Sequence, residues 1–209
     1  MTQRVNLVTV DGGRRRFLGR AFMSAAAIAA ATALPACTVT KNGNVTTLTL
    51  NVAAIKDYGQ AGLNAVSTIL SIAALASAIG APTVAIINAG DTALGAALNA
   101  FSSAAGSTLT ITYDDTNWKS RVDSVLSALG TVESDLSAAI TGVETRIAST
   151  DLSNANTALS ALGTIVSAFK GLLDSVAVRR PVGAAMASAT PAPSQAQVQQ
   201  ALRVLGVTA

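Results

Sequence analysis

The sequence predicts an all-α protein, an antiparallel bundle of about four helices with room for a small two-stranded β ribbon. Three observations carry this: two long apolar stripes at helical spacing, a Gly-Pro break between two further apolar stretches, and an apolar half in which alanine is the commonest residue. The first stripe runs Trp118, Val122, Val125, Leu129, Val132, Leu136, Ile140, Val143 and Ile147, in steps of three and four, and so lies on one face of one long helix. The second runs Leu152, Ala155, Leu159, Leu162, Val166, Phe169, Leu173 and Val176. Ser149, Thr150 and Asp151 lie between them and suit a helix cap, so two antiparallel helices with a tight connection are expected. Asp114 or Asp115 is expected to cap the first.

Upstream, residues 52–79 and 83–105 also read as helices, divided by Gly80, Ala81 and Pro82, where a free φ and a missing N–H break the pattern. Val84, Ile87, Leu94, Leu98 and Phe101 keep the helical step in the second. Four helices of this length, each with one apolar face, bury those faces by packing as a bundle. Residues 47–52 and 108–113 alternate Thr with Leu, Ile or Tyr, the two-residue period of a strand, and either pair as a ribbon or lead extended into the helices that follow.

The resulting division is a leader at 1–36, a polar tether at 37–47, the bundle at 48–180, an Ala, Pro and Ser-rich linker at 181–194, and a short amphipathic segment at 195–209. In the leader, Arg14, Arg15, Arg16, Phe17 and Leu18 precede an Ala-rich apolar run that closes on Leu34, Pro35, Ala36 and Cys37. These residues resemble a bacterial twin-arginine signal peptide ending in a lipoprotein-type lipobox. The resemblance covers residues 14–37 and implies export, loss of residues 1–36, and a diacylglycerol on the Cys37 thiol that anchors the protein at a periplasmic membrane surface. Cleavage after Ala33, at Ala31, Thr32 and Ala33, is the alternative and leaves no lipid.

Charge changes meaning once the leader is set apart. Of 14 Lys and Arg, Arg4, Arg14, Arg15, Arg16 and Arg20 lie before Cys37, against Asp11 alone, and the remainder is almost neutral. A protein of that balance lacks the basic footprint of a nucleic-acid binder, so nucleic acid is not expected as a partner. The chain has no histidine and one cysteine, which removes the usual base for an activated serine and the usual soft metal ligands. No catalytic residue, cofactor site or metal site is expected. Asp114, Asp115, Thr116 and Asn117 offer oxygen ligands but lack the Gly and later Glu of a calcium loop, and helix capping explains them better.

Residues 58–90 form an unbroken run of uncharged positions, longer than the roughly 20 residues that span a bilayer. Gln60, Asn64, Ser67 and Ser71 give this run a weakly polar face, and Gly80 and Pro82 divide it where a soluble hairpin would turn. Gly90, Gly95 and Gly106 suit close helix contact in either solvent. Asp91 falls in phase with the apolar face of its helix, where a carboxyl has a raised pKa or reaches Lys56 or water at the helix edge. Tyr113 and Trp118 belong to a recognition patch or, more simply, to the core. The preferred expectation is a non-enzymatic, lipid-anchored structural or interaction module that meets a protein partner or a second copy of itself. The alternatives are a membrane-active hairpin inserting residues 63–104 and a bundle that carries a small apolar ligand.

Overall fold

A computed structural model describes residues 37–42, 45–113, 116–177 and 192–207. The leader with Arg14, Arg15, Phe17 and Leu18, the acidic pair Asp114 and Asp115, and residues 181–191 of the linker lie outside the described residues. Two strands, β1 (Cys37–Asn42) and β2 (Val45–Asn51), open the fold, followed by helices α1 (Val52–Leu70), α2 (Ala73–Ile79) and α3 (Ala81–Ala105). Strand β3 (Thr110–Thr112) then leads to α4 (Thr116–Thr141), α5 (Ser149–Ala177) and α6 (Gln195–Val204). The protein is an antiparallel helical bundle with a small β sheet across one end.

The expected pairing of the two Thr-rich segments forms, with Leu50 opposite Ile111 and Asn51 opposite Thr110. The expected tether does not: residues 37–42 pair along the other edge of β2, Cys37 opposite Leu50 and Asn42 opposite Val45, so the sheet has three antiparallel strands in the order β1-β2-β3. Thr-rich sequence of β-branched residues favours an extended, laddered backbone over a free polar tail once a partner edge is present. Leu48, Leu50 and Ile111 turn inward and are buried against the helices, whereas Thr47 and Thr49 face outward. Asn51 ends β2 and starts α1, its side-chain oxygen accepting the Ala53 N–H at 2.9 Å.

Helix α1 is the axis of the bundle and packs against α3, α4, α5 and α6. Ile55, Tyr58, Ala61, Ala65, Val66 and Ile69 are all buried on it. Two glycines let its neighbours approach: a Cβ on Gly62 would stand 2.5 Å from a Leu129 methyl and 2.6 Å from a Leu94 methyl, and one on Gly59 would stand 2.7 Å from Leu98. The order of these contacts sets α3 antiparallel to α1. Of the glycines expected at close contacts, only Gly90 meets a neighbour, Val132 of α4, while Gly95 and Gly106 face open space.

The first predicted helix breaks at Ser71 and Ile72, where α1 and α2 meet at 87°. Gly80, at φ +83°, separates α2 from α3, and Pro82 sits in the first turn of α3, where its missing N–H costs nothing. Helix α4 stops at Thr141, so the long stripe ends in a turn that still buries Val143. Ser149, Thr150 and Asp151 form the first turn of α5 instead of preceding it. On α5 the predicted Ala155, Leu162, Phe169 and Leu173 are buried and Leu152, Leu159 and Val166 pack partly against the core, while Ala158, Ile165 and Leu172 widen the buried arc to one side because α1, α4 and α6 all press on this helix. The C-terminal amphipathic segment is α6, capped by Ser194 and Gln197 in a reciprocal box and burying Val198, Ala201 and Leu202. It packs chiefly on α5 and meets the weakly polar face of α1 at Asn64, whose amide donates to the Leu205 carbonyl at 2.8 Å, while Gln60, Ser67 and Ser71 of that face stay exposed.

Leu94 and Leu129 are fully buried and cannot swing aside, so Gly62→Ala overpacks the axis and is expected to lower stability by about 1–3 kcal/mol. Gly95→Ala, with nothing within 4 Å of the new methyl, is expected to raise it by about 0.5–1 kcal/mol. Denaturant titration of both variants measures the two signs.

Candidate functional site

Charged side chains are scarce enough that their gathering in one place is informative. Lys119, Asp123 and Glu133 of α4 fall at steps that keep them one position round from the core stripe, together with Leu126 and Gly130. Opposite them α5 brings Val166, Lys170, Leu173 and Asp174. Because α4 and α5 are antiparallel, these rows flank one open groove of about 560 Å³, with Tyr113 at its sheet end. Gly130 narrows the wall to bare backbone, and Leu126, Val166 and Leu173 supply an apolar floor. Glu133 lies over α5, its Oε1 at 3.2 Å from where a Gly163 Cβ would stand.

The sheet end of the groove is clasped. The Tyr113 hydroxyl donates to Asp123 Oδ1 at 2.6 Å, Lys119 donates to Asp123 Oδ2, and the Lys119 ammonium sits 5.3 Å from the centre of the Tyr113 ring. Burial first, then the bond to Asp123, raises the Tyr113 pKa above 10.0. The bond to Asp123 likewise raises the Lys119 pKa above 10.5. Tyr113 and Lys119 both keep their protons at neutral pH and hold the Asp123 carboxylate between them as a clasp. Beyond it, Glu133, Lys170 and Asp174 make no ion pair or hydrogen bond among the described residues. The groove thus presents an apolar floor bordered by unpaired charges of both signs.

The residues singled out from sequence are dispersed. Cys37 is the first residue of β1, across the sheet from the groove's helices. Tyr113 is buried in the core and joins the groove through its hydroxyl, while Trp118 packs edge-on against Phe101 with centroids 6.0 Å apart. Asp91 is half-buried on α3 and makes no ion pair with Lys56, so of the expected alternatives the raised pKa is the one that holds. One of its oxygens is buried without a partner, and burial raises its pKa above 3.8. The Asp135 carboxylate approaches the neighbouring Gly90, so α4 brings a second acid to this region instead of a cation. Among the described residues no group of three or more His, Cys, Asp or Glu is placed to hold a metal ion. The sequence reading missed the groove, although Lys119, Asp123, Leu126, Gly130 and Glu133 repeat at steps of 4, 3, 4 and 3.

A carboxyl whose folded pKa is raised costs stability once pH exceeds that raised value, and the cost vanishes below the unfolded value of 3.8. Asp91→Asn is therefore expected to raise the melting temperature at pH 7, and the gap from the parent protein to close as pH falls through the window above 3.8. Thermal melts of both proteins across that range measure it.

No protein-family model, no curated protein and no solved structure matches this chain.

Proposed function

We propose that the protein is exported, loses residues 1–36, and works as a lipid-anchored interaction module on the periplasmic side of a bacterial membrane. The single observation that carries the interaction role is the α4–α5 groove, where an apolar floor is bordered by Glu133, Lys170 and Asp174 without partners. An amphipathic helix or extended segment of a partner protein fits such a surface, since apolar anchors supply affinity while charges of both signs fix register. The clasp of Tyr113, Asp123 and Lys119 supports this use by holding the groove's end rigid.

The anchoring role rests on the resemblance at residues 14–37. In that chemistry the Cys37 sulfur forms a thioether to the diacylglyceryl carbon of a phospholipid as the C–O bond to the phosphorylated headgroup breaks, the headgroup leaving with the thiol proton, and water then cleaves the bond between Ala36 and Cys37. Each buried CH₂ contributes about 0.8 kcal/mol, and several acyl chains together hold a protein stably.

One observation favours the membrane-active alternative. Helix α3 is long and apolar enough to cross a membrane, and only 28% of its most apolar stretch is buried. Against it, insertion of residues 63–104 would draw α1 out of the centre of the core and straighten the 87° bend before α2.

Mass spectrometry of the protein purified from its own host is expected to find Cys37 at the N-terminus carrying diacylglycerol; a chain that still begins at Met1 overturns export. For the groove, a photo-crosslinking residue at Val166 is expected to give one discrete protein adduct in living cells, lost in Lys170→Glu. Adducts no different from those of a crosslinker at Ala89, on the exposed side of α3, overturn the interaction role.

A further inference from the structure

Strands β1 and β3 lie on either side of β2 and both run antiparallel to it, so they begin at the same end of the sheet. Cys37 opens β1 in the row of Leu50 and Ile111. Leu109 stands two residues ahead of Ile111 at the start of β3. Two interstrand spacings sideways and two residues along put Leu109 on the order of 12 Å from Cys37.

Ile111 is 4% exposed, whereas Leu109 is 81% exposed, more than any other large apolar side chain described as exposed. The difference is not looseness. The Leu109 carbonyl accepts the Val52 N–H at 3.0 Å, and the Thr108 N–H donates to Ala105 at 2.9 Å, so the backbone is held on both sides while the side chain projects beyond the core. Gly106, at φ +52°, makes the turn that presents it. From Thr92 to Tyr113 the chain carries no charge, and the nearest charges on α1, Lys56 and Asp57, are half-buried in its second turn.

We infer that this end of the sheet is the membrane-facing surface of the anchored protein, with Leu109 entering the lipid headgroup region and the bundle standing away from the bilayer. The inference rests on the lipid-anchored reading and goes beyond it. An acylated cysteine on a flexible tether would let the domain face any way, but here Cys37 is itself paired to Leu50, so no free spacer separates lipid from fold. A surface residue about 12 Å from that cysteine cannot lie far from the bilayer. One leucine cannot hold a protein at a membrane, yet its burial biases an already tethered domain about tenfold or more toward one orientation.

The test uses the full chain, acylated in its host and reconstituted into vesicles of phosphatidylethanolamine and phosphatidylglycerol. Since Cys37 is then blocked, Leu109→Cys supplies a single thiol for a polarity-sensitive dye, and Ile86→Cys, near the opposite end of the bundle and 58% exposed, supplies the comparison. The expected result is a blue shift at 109 that is quenched by spin-labelled lipid, with neither effect at 86. Water-like emission at both sites in a protein that floats with vesicles overturns the orientation and leaves the anchor standing. A blue shift at 109 that spin-labelled lipid does not quench assigns the residue to a second copy and also overturns it. Quenching at 86 transfers the lipid contact to α3. A free Cys37 thiol removes the reading beneath the inference, and the inference with it.

Discussion

Every long helix in this protein is located by the closeness with which α1 lets its neighbours approach. Gly59 and Gly62 leave its backbone bare on the side where Leu94, Leu98 and Leu129 enter, and these three are buried where a methyl group would collide with them. Dense packing of large side chains onto small ones is how an alanine-rich chain with few aromatics fills a core, because dispersion contacts accumulate only when surfaces meet without gaps. One strip round the same helix, four residues before Gly62, Tyr58 meets Phe169 with ring centres 5.5 Å apart, which sets α5 in place. With α3, α4 and α5 fixed around α1, the α4–α5 groove follows from the antiparallel register of its two walls.

The sheet closes the end of the bundle that four helix termini would otherwise leave open. Leu48, Leu50 and Ile111 cap the apolar interior, and Tyr113 continues it toward the groove. This arrangement ties two functional proposals to one structural element. The strand that starts at Cys37 fixes the fold relative to the proposed anchor, and the strand that ends at Thr112 passes directly into the clasp at Tyr113. Whatever orients the sheet against a membrane therefore orients the groove as well.

The candidate site was less legible than the fold. A row of Lys119, Asp123 and Glu133 on a mostly apolar helix reads in sequence as an ordinary solvated face, since nothing local says what stands across from it. Only the approach of α5 converts it into one wall of a groove. Asp91 was legible as an awkward carboxyl because its phase put it on an apolar face, but its missing partner depends on which side chains α4 presents there. The polar face of α1 was legible too, and α6, separated from it by more than a hundred residues, is what uses Asn64.

What the sequence determined by itself was local: helices where apolar residues recur every three or four positions, strands where Thr alternates with large apolar residues, and breaks where Gly80 and Pro82 deny the backbone its usual dihedrals or donors. The export resemblance is also wholly a matter of sequence, carried by Arg14, Arg15, Phe17, Leu18 and Cys37. The tertiary structure decided the rest. It paired residues 37–42 with β2 instead of leaving them as a tether, bent the first helix at Ser71, widened the buried arc of α5, and chose Gly59 and Gly62 as the close contacts. Each of these depends on which distant surface arrives opposite a segment, and hydrogen-bond partners across strands and voids between helices are properties of two segments at once, which no local pattern in either one contains.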